Sequence, residues 1–188
     1  MYYFCALILN LNQMATRTSF ILKVMNVIFW VIFIGLCIKT GSILYSYFVS
    51  MAINPIAAQN LYMGLNLSGL QAYGIEHYSI IVIMLIVLTG LKAYIGYWVV
   101  KISMEMKLEK PFSEGVSRII SIISQIALLT GILAIIAEAY SKWLMKQNLD
   151  IPIDWAYGEI LFFAGVIFIL AQVFKKGIEL QSENDLTV

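Results

Sequence analysis

The sequence predicts an all-α membrane protein: a four-transmembrane-helix antiparallel bundle, with a small two-segment β cap outside the membrane. Three observations lead there. First, the 188 residues are 61% hydrophobic and 12% charged, with a mean hydropathy of +0.87. A soluble domain is roughly half apolar and about a quarter charged, so this composition belongs to the membrane class. Second, four stretches reach the ~20 mostly apolar residues that one bilayer crossing requires. Third, lysines and arginines alternate in density between the segments that join those stretches.

The first span is expected at about 20–49, centred on "VIFWVIFIGLCI". It exceeds one crossing, so it tilts or continues above the membrane. The second is expected at about 78–100, the third at 116–140 and the fourth at 157–174. Arg17, Lys23, Lys101, Lys107, Lys110, Arg118, Lys175 and Lys176 fall on one side, against Lys39, Lys142 and Lys146 on the other. That excess places both termini and the middle loop in the cytoplasm, with 175–188 as a cytoplasmic tail. Trp98, Trp143 and Trp155 sit near span ends, where indoles favour the headgroup layer.

The N-terminal "MYYFCALILNLNQ" has no basic n-region and no small-residue cleavage site, so it reads poorly as a signal peptide. Residues 1–13 are expected either to be a non-native start extension, with Met14 the initiator, or to form a short amphipathic lead-in helix.

Small residues let helices approach closely in lipid. Ser117, Ser121, Ser124, Gly131 and Glu138 suggest a seam on the third span, Thr89, Ala93 and Gly96 one on the second, and Gly158, Gly165 and Gln172 one on the fourth. Pro111 disfavours helix in the residue before it, so the second helix should end near Lys110. Ser113 then caps the third helix, with Glu114 in its first turn. Two outer segments change period. Leu61, Met63, Leu65 and Leu67 alternate with polar or small neighbours, and so do Leu149, Ile151, Ile153 and Trp155. Period two is a strand signal, and Pro152 confines the second segment to an edge. These two segments are expected to pair and form the cap.

Net charge is +1, so no basic footprint for direct nucleic-acid binding exists. No zinc-protease, P-loop, nucleophile-elbow or dinucleotide motif occurs. Cys5 and Cys37 lie apart in apolar stretches, which suggests buried structural thiols. His77, beside Glu76, reads as a polar anchor rather than a metal ligand. No catalytic residue, metal or cofactor is expected. The ionisable groups near the spans say more. Lys92 lies inside the second span, where a charge is costly and marks a functional site by default; the alternative is that it snorkels to the inner surface. Glu138 and Glu159, near outer span ends, could face each other or pair with Lys39 or Lys142 around a polar pocket.

The ending "FKKGIELQSENDLTV" carries Phe174, Gly177, Leu180, Gln181, Glu183, Leu186, Thr187 and Val188. This pattern resembles the C-terminal signature of an uncharacterised bacterial family of small membrane proteins, domain of unknown function 2975. Lys110, Pro111 and Phe112, as "KPF" before the third span, fit the same family, and the resemblance covers Met14 to the end. It implies a four-helix bacterial inner-membrane protein, whose genes often neighbour a small helix-turn-helix regulator. No catalytic residues come with it.

Two functions remain open from the residues. One is a non-enzymatic regulatory or sensor protein that holds a small cytoplasmic DNA-binding partner. Its docking surface would comprise Pro111, Phe112, Ile178, Leu180, Leu186 and Val188. The fourth helix would extend past Gly177 to about Gln181, and the terminal Leu-Thr-Val would fold back near Phe112. The other is a small ligand-binding or transport-associated bundle, with Lys92, Glu138, Glu159 and Lys39 lining a polar path.

Overall fold

The structure, a computed structural model, describes the backbone of residues 2–105 and 113–185 and the side chains of 20–105 and 113–183. In chain order it has α1 (Tyr2–Ala52), a 3-10 helix (Pro55–Gln59), α2 (Ser68–Tyr73), α3 (Ile75–Glu105), α4 (Glu114–Met145) and α5 (Tyr157–Asp185). Residues 2–13 continue α1 without a break. Four segments are long and apolar enough to cross a membrane: Phe20–Ala52, Ile75–Glu105, Glu114–Met145 and Tyr157–Glu183. Pro55 opens the 3-10 helix and Pro152 falls between α4 and α5, positions where a residue without an N–H is tolerated.

The long helices form an antiparallel bundle, packed in chain order: α1 on α3, α3 on α4, α4 on α5. Among the described residues no Cα of α1 lies within 8 Å of one in α4 or α5, and none of α3 within 8 Å of one in α5. The inner helices α3 and α4 therefore bury the most, while the apolar segments of α1 and α5 stay largely uncovered. Val31 and Phe162, 66% and 77% exposed, show the kind of surface this leaves. Water would not tolerate it; acyl chains would.

α4 makes the central seam. Val116, Ile120, Ile123, Ala127, Thr130, Ala134, Ala137, Ser141 and Leu144 are all buried and step alternately by four and three. That is the spacing of a continuous packed stripe on a helix. The seam expected from Ser117, Ser121 and Glu138 is thus rotated by one residue, or about 100°. Ser124 and Gly131 of that expectation are buried beside the observed stripe. The same rotation occurs on α5. Its buried contacts are Ala164 and Ala171, whereas Gly158 and Gly165 face open space and Gln172 is exposed. On α3, Thr89 and Ala93 are buried, and a Cβ on Gly96 would lie 3.7 Å from Phe33 of α1. Ser113 caps α4 as its sequence suggests, its Oγ accepting from the Val116 N–H at 3.3 Å. Glu114 stands in the first turn. The expected end of α3 near Lys110 lies outside the described residues.

A cap closes one end of the bundle, here termed the cap end. It consists of the 3-10 helix, α2 and the segments around them, with residues 146–156. Asn54 starts it, its side chain accepting from the Ile56 N–H at 3.0 Å. The β pairing expected of 61–67 and 149–155 does not occur: neither segment is a strand. Their backbone groups are satisfied locally instead. Leu61 N–H donates to Leu65 C=O at 2.9 Å, and Leu67 N–H to Ala58 C=O at 2.8 Å. Ile153 N–H donates to Ile151 C=O at 2.8 Å. Met63 and Gly64 take positive φ (48° and 89°), which reverses the chain inside the first segment. The two segments still meet, through side chains. Leu61, Leu67, Ile151 and Trp155 are buried in one core with Ile43, Tyr78 and Leu144. Trp155 leaves its expected interfacial position for this core and donates its indole N–H to Ser141 Oγ at 2.8 Å.

Candidate functional site

At the cap end a cavity of about 190 Å³ is lined by Lys39, Ile43, Tyr62, Leu65, Leu85, Pro152, Ile153 and Asp154. Each wall has a distinct origin. α1 supplies Lys39 and Ile43, four residues apart and so on one face. α3 supplies Leu85, with Lys92 seven residues further along the same face. The first cap segment supplies Tyr62, whose ring centroid is 5.7 Å from Lys39 Nζ. That is within cation–π range. The second supplies Asp154, whose Oδ1 accepts from the Ala156 N–H at 2.9 Å. Ala156 takes a positive φ of 52° there, and α5 starts at the next residue. Glu159 stands in its first turn.

Lys92, half-buried, is within electrostatic reach of Lys39, Asp154 and Glu159. One cation and one acid, Lys39 and Asp154, line the cavity, while Lys92 and Glu159 lie outside its lining. Among the described residues none of the four closes an ion pair within 4.0 Å. Of the sequence candidates, Lys39 lines the cavity, and Lys92 and Glu159 do not. Glu138 does not line the cavity; it pairs with Lys142 on its own helix at 3.0 Å. Sequence reasoning did not single out Tyr62 and Asp154, which entered it only as neighbours of the alternating apolar residues. A signal existed in Asp154: an acid two residues past a proline and three before a helix.

His77 is no isolated anchor. Its Nδ1 is 2.6 Å from Tyr140 OH, within an aromatic group that includes Tyr73 and Trp143. No group of three potential metal ligands occurs among the described residues. Cys37 is exposed on α1, contrary to the buried thiol expected, because no helix covers that face. The Cys5 side chain lies outside the described residues.

At the opposite end α4 and α5 flank an open groove of about 690 Å³, lined by Glu114, Gly115, Ser117, Arg118, Ser121, Lys175, Ile178 and Glu179. Ile178 is half-buried and faces this groove; Leu180 is 51% exposed. Glu179 also receives Lys176 Nζ at 2.9 Å. α5 runs through Gly177 to Asp185, four residues beyond the expected stop at Gln181. With no proline and no capping motif, nothing ends it earlier. Pro111, Phe112, Leu186 and Val188 of the expected docking surface lie outside the described residues, as does the fold-back of Leu-Thr-Val.

Comparison with protein-family models, with curated proteins and with solved structures finds no match for this chain.

Proposed function

We propose that this chain is a non-enzymatic multi-pass protein of the bacterial cytoplasmic membrane, with both termini inside, that holds a small helix-turn-helix regulator at its inner face. The lysine and arginine asymmetry supports the orientation. The resemblance of the tail to a family whose genes often neighbour such a regulator supports the partner. The single observation that carries the reading is the α4/α5 groove. It is long and open, bears Arg118 and Lys175 beside Glu114 and Glu179, and has Ile178 on its wall. α5 continues past Glu179 by six residues, about 9 Å of further helix. A partner helix would find both charge signs and an apolar contact there.

The test is affinity purification of the full chain from its native membrane, with mass spectrometry of what is retained. A small protein with a helix-turn-helix sequence should co-purify, and the double charge reversal R118E/K175E should release it. Membrane insertion of that variant should be unchanged. Retention of the same partner by the reversed variant, or absence of any such partner, would sink the reading. A second reading, a ligand-binding or transport-associated bundle, is favoured by Lys39 and Asp154 on the wall of the cap-end cavity, both within electrostatic reach of Lys92.

A further inference from the structure

The cap-end cavity carries both signs of charge on its wall and joins neither to the other. Lys39 and Asp154 both line it, yet no ion pair links them. A lysine within an apolar bundle needs a counter-charge. Among the described residues Lys39 forms no ion pair and stands over the Tyr62 ring, and Lys92 adds to the positive charge near it. Glu159, like Asp154, is within electrostatic reach of Lys92. Both signs of charge are present, so a guest that carries an anionic and a cationic group can meet each of them.

Size narrows the guest. At about 30 Å³ per water, 190 Å³ holds the equivalent of about six waters. That is below the roughly 300–1,000 Å³ of pockets for drug-sized ligands. Ile43, Leu65, Leu85 and Ile153 supply apolar wall, which suits a short methylene linker between two charged ends. Two lysines at one side fit a phosphate better than a single lysine would.

We propose that this cavity binds a small zwitterion bearing a phosphate and a primary ammonium, the chemistry of phosphoethanolamine. The phosphate sits toward Lys39 and Lys92, the ammonium toward Asp154 and Glu159, and the linker against the apolar wall. The group comes either as a free solute or as a lipid headgroup. This inference rests on the second reading above and names its ligand class.

The test uses the purified full chain in dodecyl maltoside and isothermal titration with four probes: O-phosphoethanolamine, dihexanoyl-phosphatidylethanolamine, ethyl phosphate and ethanolamine. Saturable one-to-one binding of at least one zwitterion is expected, with each half-ligand at least tenfold weaker. Comparable binding of both zwitterions assigns a soluble source; binding of the lipid alone assigns the headgroup. K39Q and D154N should each weaken binding at least tenfold. Asn at 154 keeps the oxygen that accepts from Ala156, so the turn survives. Should either variant elute as aggregate, K92Q and E159Q are read in its place. If ethyl phosphate or ethanolamine binds as well as the zwitterion, the zwitterion is wrong and the ligand-binding reading stands. If no probe binds, or neutralising the charges changes nothing, the inference is overturned, and the groove at the other end is unaffected.

Discussion

Gly131 of α4 packs against Leu161 of α5, and replacing it with alanine tests that packing directly. A Cβ built there would lie 2.5 Å from Leu161 Cδ2 and 3.0 Å from Leu161 Cγ. Carbon atoms settle at about 3.5–4.0 Å, so Leu161 must retreat by roughly 1 Å or the helices must part. Rotation moves Cδ2 easily. It does not move Cγ without leaving the rotamer, and Ile160 Cγ2 stands 3.7 Å away on the other side. Overpacking of this kind costs about 1–3 kcal/mol. Alanine returns about 0.8–1.0 kcal/mol of helix propensity. G131A should therefore destabilise by ~1 kcal/mol net. L161A alone should cost about 2 kcal/mol, the low end for leucine truncation because Leu161 is only half-buried. In the double variant the new methyl fills space that Leu161 has vacated. Its cost should fall short of the sum by ~1 kcal/mol or more. Reversible unfolding in mixed micelles, followed by far-ultraviolet circular dichroism, measures all three. A stabilised G131A, or strict additivity, would show that α4 and α5 do not approach this closely.

Other outcomes follow from single contacts. Ser50 Oγ and Tyr78 OH are 2.6 Å apart and buried, and Ser50 Oγ also reaches Tyr47 C=O at 2.8 Å. S50A strands the Tyr78 hydroxyl and should cost about 1–3 kcal/mol, whereas Y78F leaves Ser50 its carbonyl and should cost about 0.5–1.5 kcal/mol; the reverse order in the same unfolding assay refutes the pairing. Trp155 joins the cap to α4, so W155A should cost about 3–5 kcal/mol and W155F less, with only the Ser141 hydroxyl left unpaired. An unaltered unfolding midpoint for W155A would exclude the buried site. Cysteines at Ser68 and Ser182 should react from opposite sides of an intact cell, since the two lie at opposite ends of the bundle. Labelling of both from outside contradicts the orientation.

Long apolar runs made the helices legible, because a spanning helix must satisfy every backbone group within itself. The rotation of the seams was not legible. Serine, glycine and glutamate drew attention on the third span, yet the stripe that packs is built from Val116, Ala127, Ala134 and Ala137 with larger residues between. Alanine is as small as serine for close approach and carries no hydrogen-bonding debt, so it fills the interior without announcing itself. The packing order was equally hidden. Nothing in the apolar pattern of α1 says that α3 will be the one long helix packed on it, since lipid and protein reward the same side chains. In the cap, four of the eight alternating apolar residues, Leu61, Leu67, Ile151 and Trp155, are buried, while Met63 is exposed. What failed was the inference from inward alternation to a hydrogen-bonded ladder. Period two bears on which side chains are buried; it does not record where the amides go.

The second cap segment shows what that distinction does for the site. α4 continues to Met145, but near the start of α5 Leu161 packs back on Gly131, fourteen residues earlier. At 1.5 Å per residue that is about 21 Å below the end of α4. Residues 146–156 must therefore descend beside α4 rather than lie across its tip. Burial of Ile151 and of Trp155 against Ser141 fixes the descent. With those side chains turned inward, Pro152, Ile153 and Asp154 come to the cavity wall that α1 and α3 complete. A short turn straight from α4 into α5 would have left Asp154 and Glu159 at the cap tip. Lys39, thirteen residues before the end of α1, would then have faced only apolar neighbours. The charged cavity is thus a consequence of where the last connection runs. Shortening that connection by deleting 148–150 should pull Asp154 away from Lys39 and abolish zwitterion binding, while the four long helices remain.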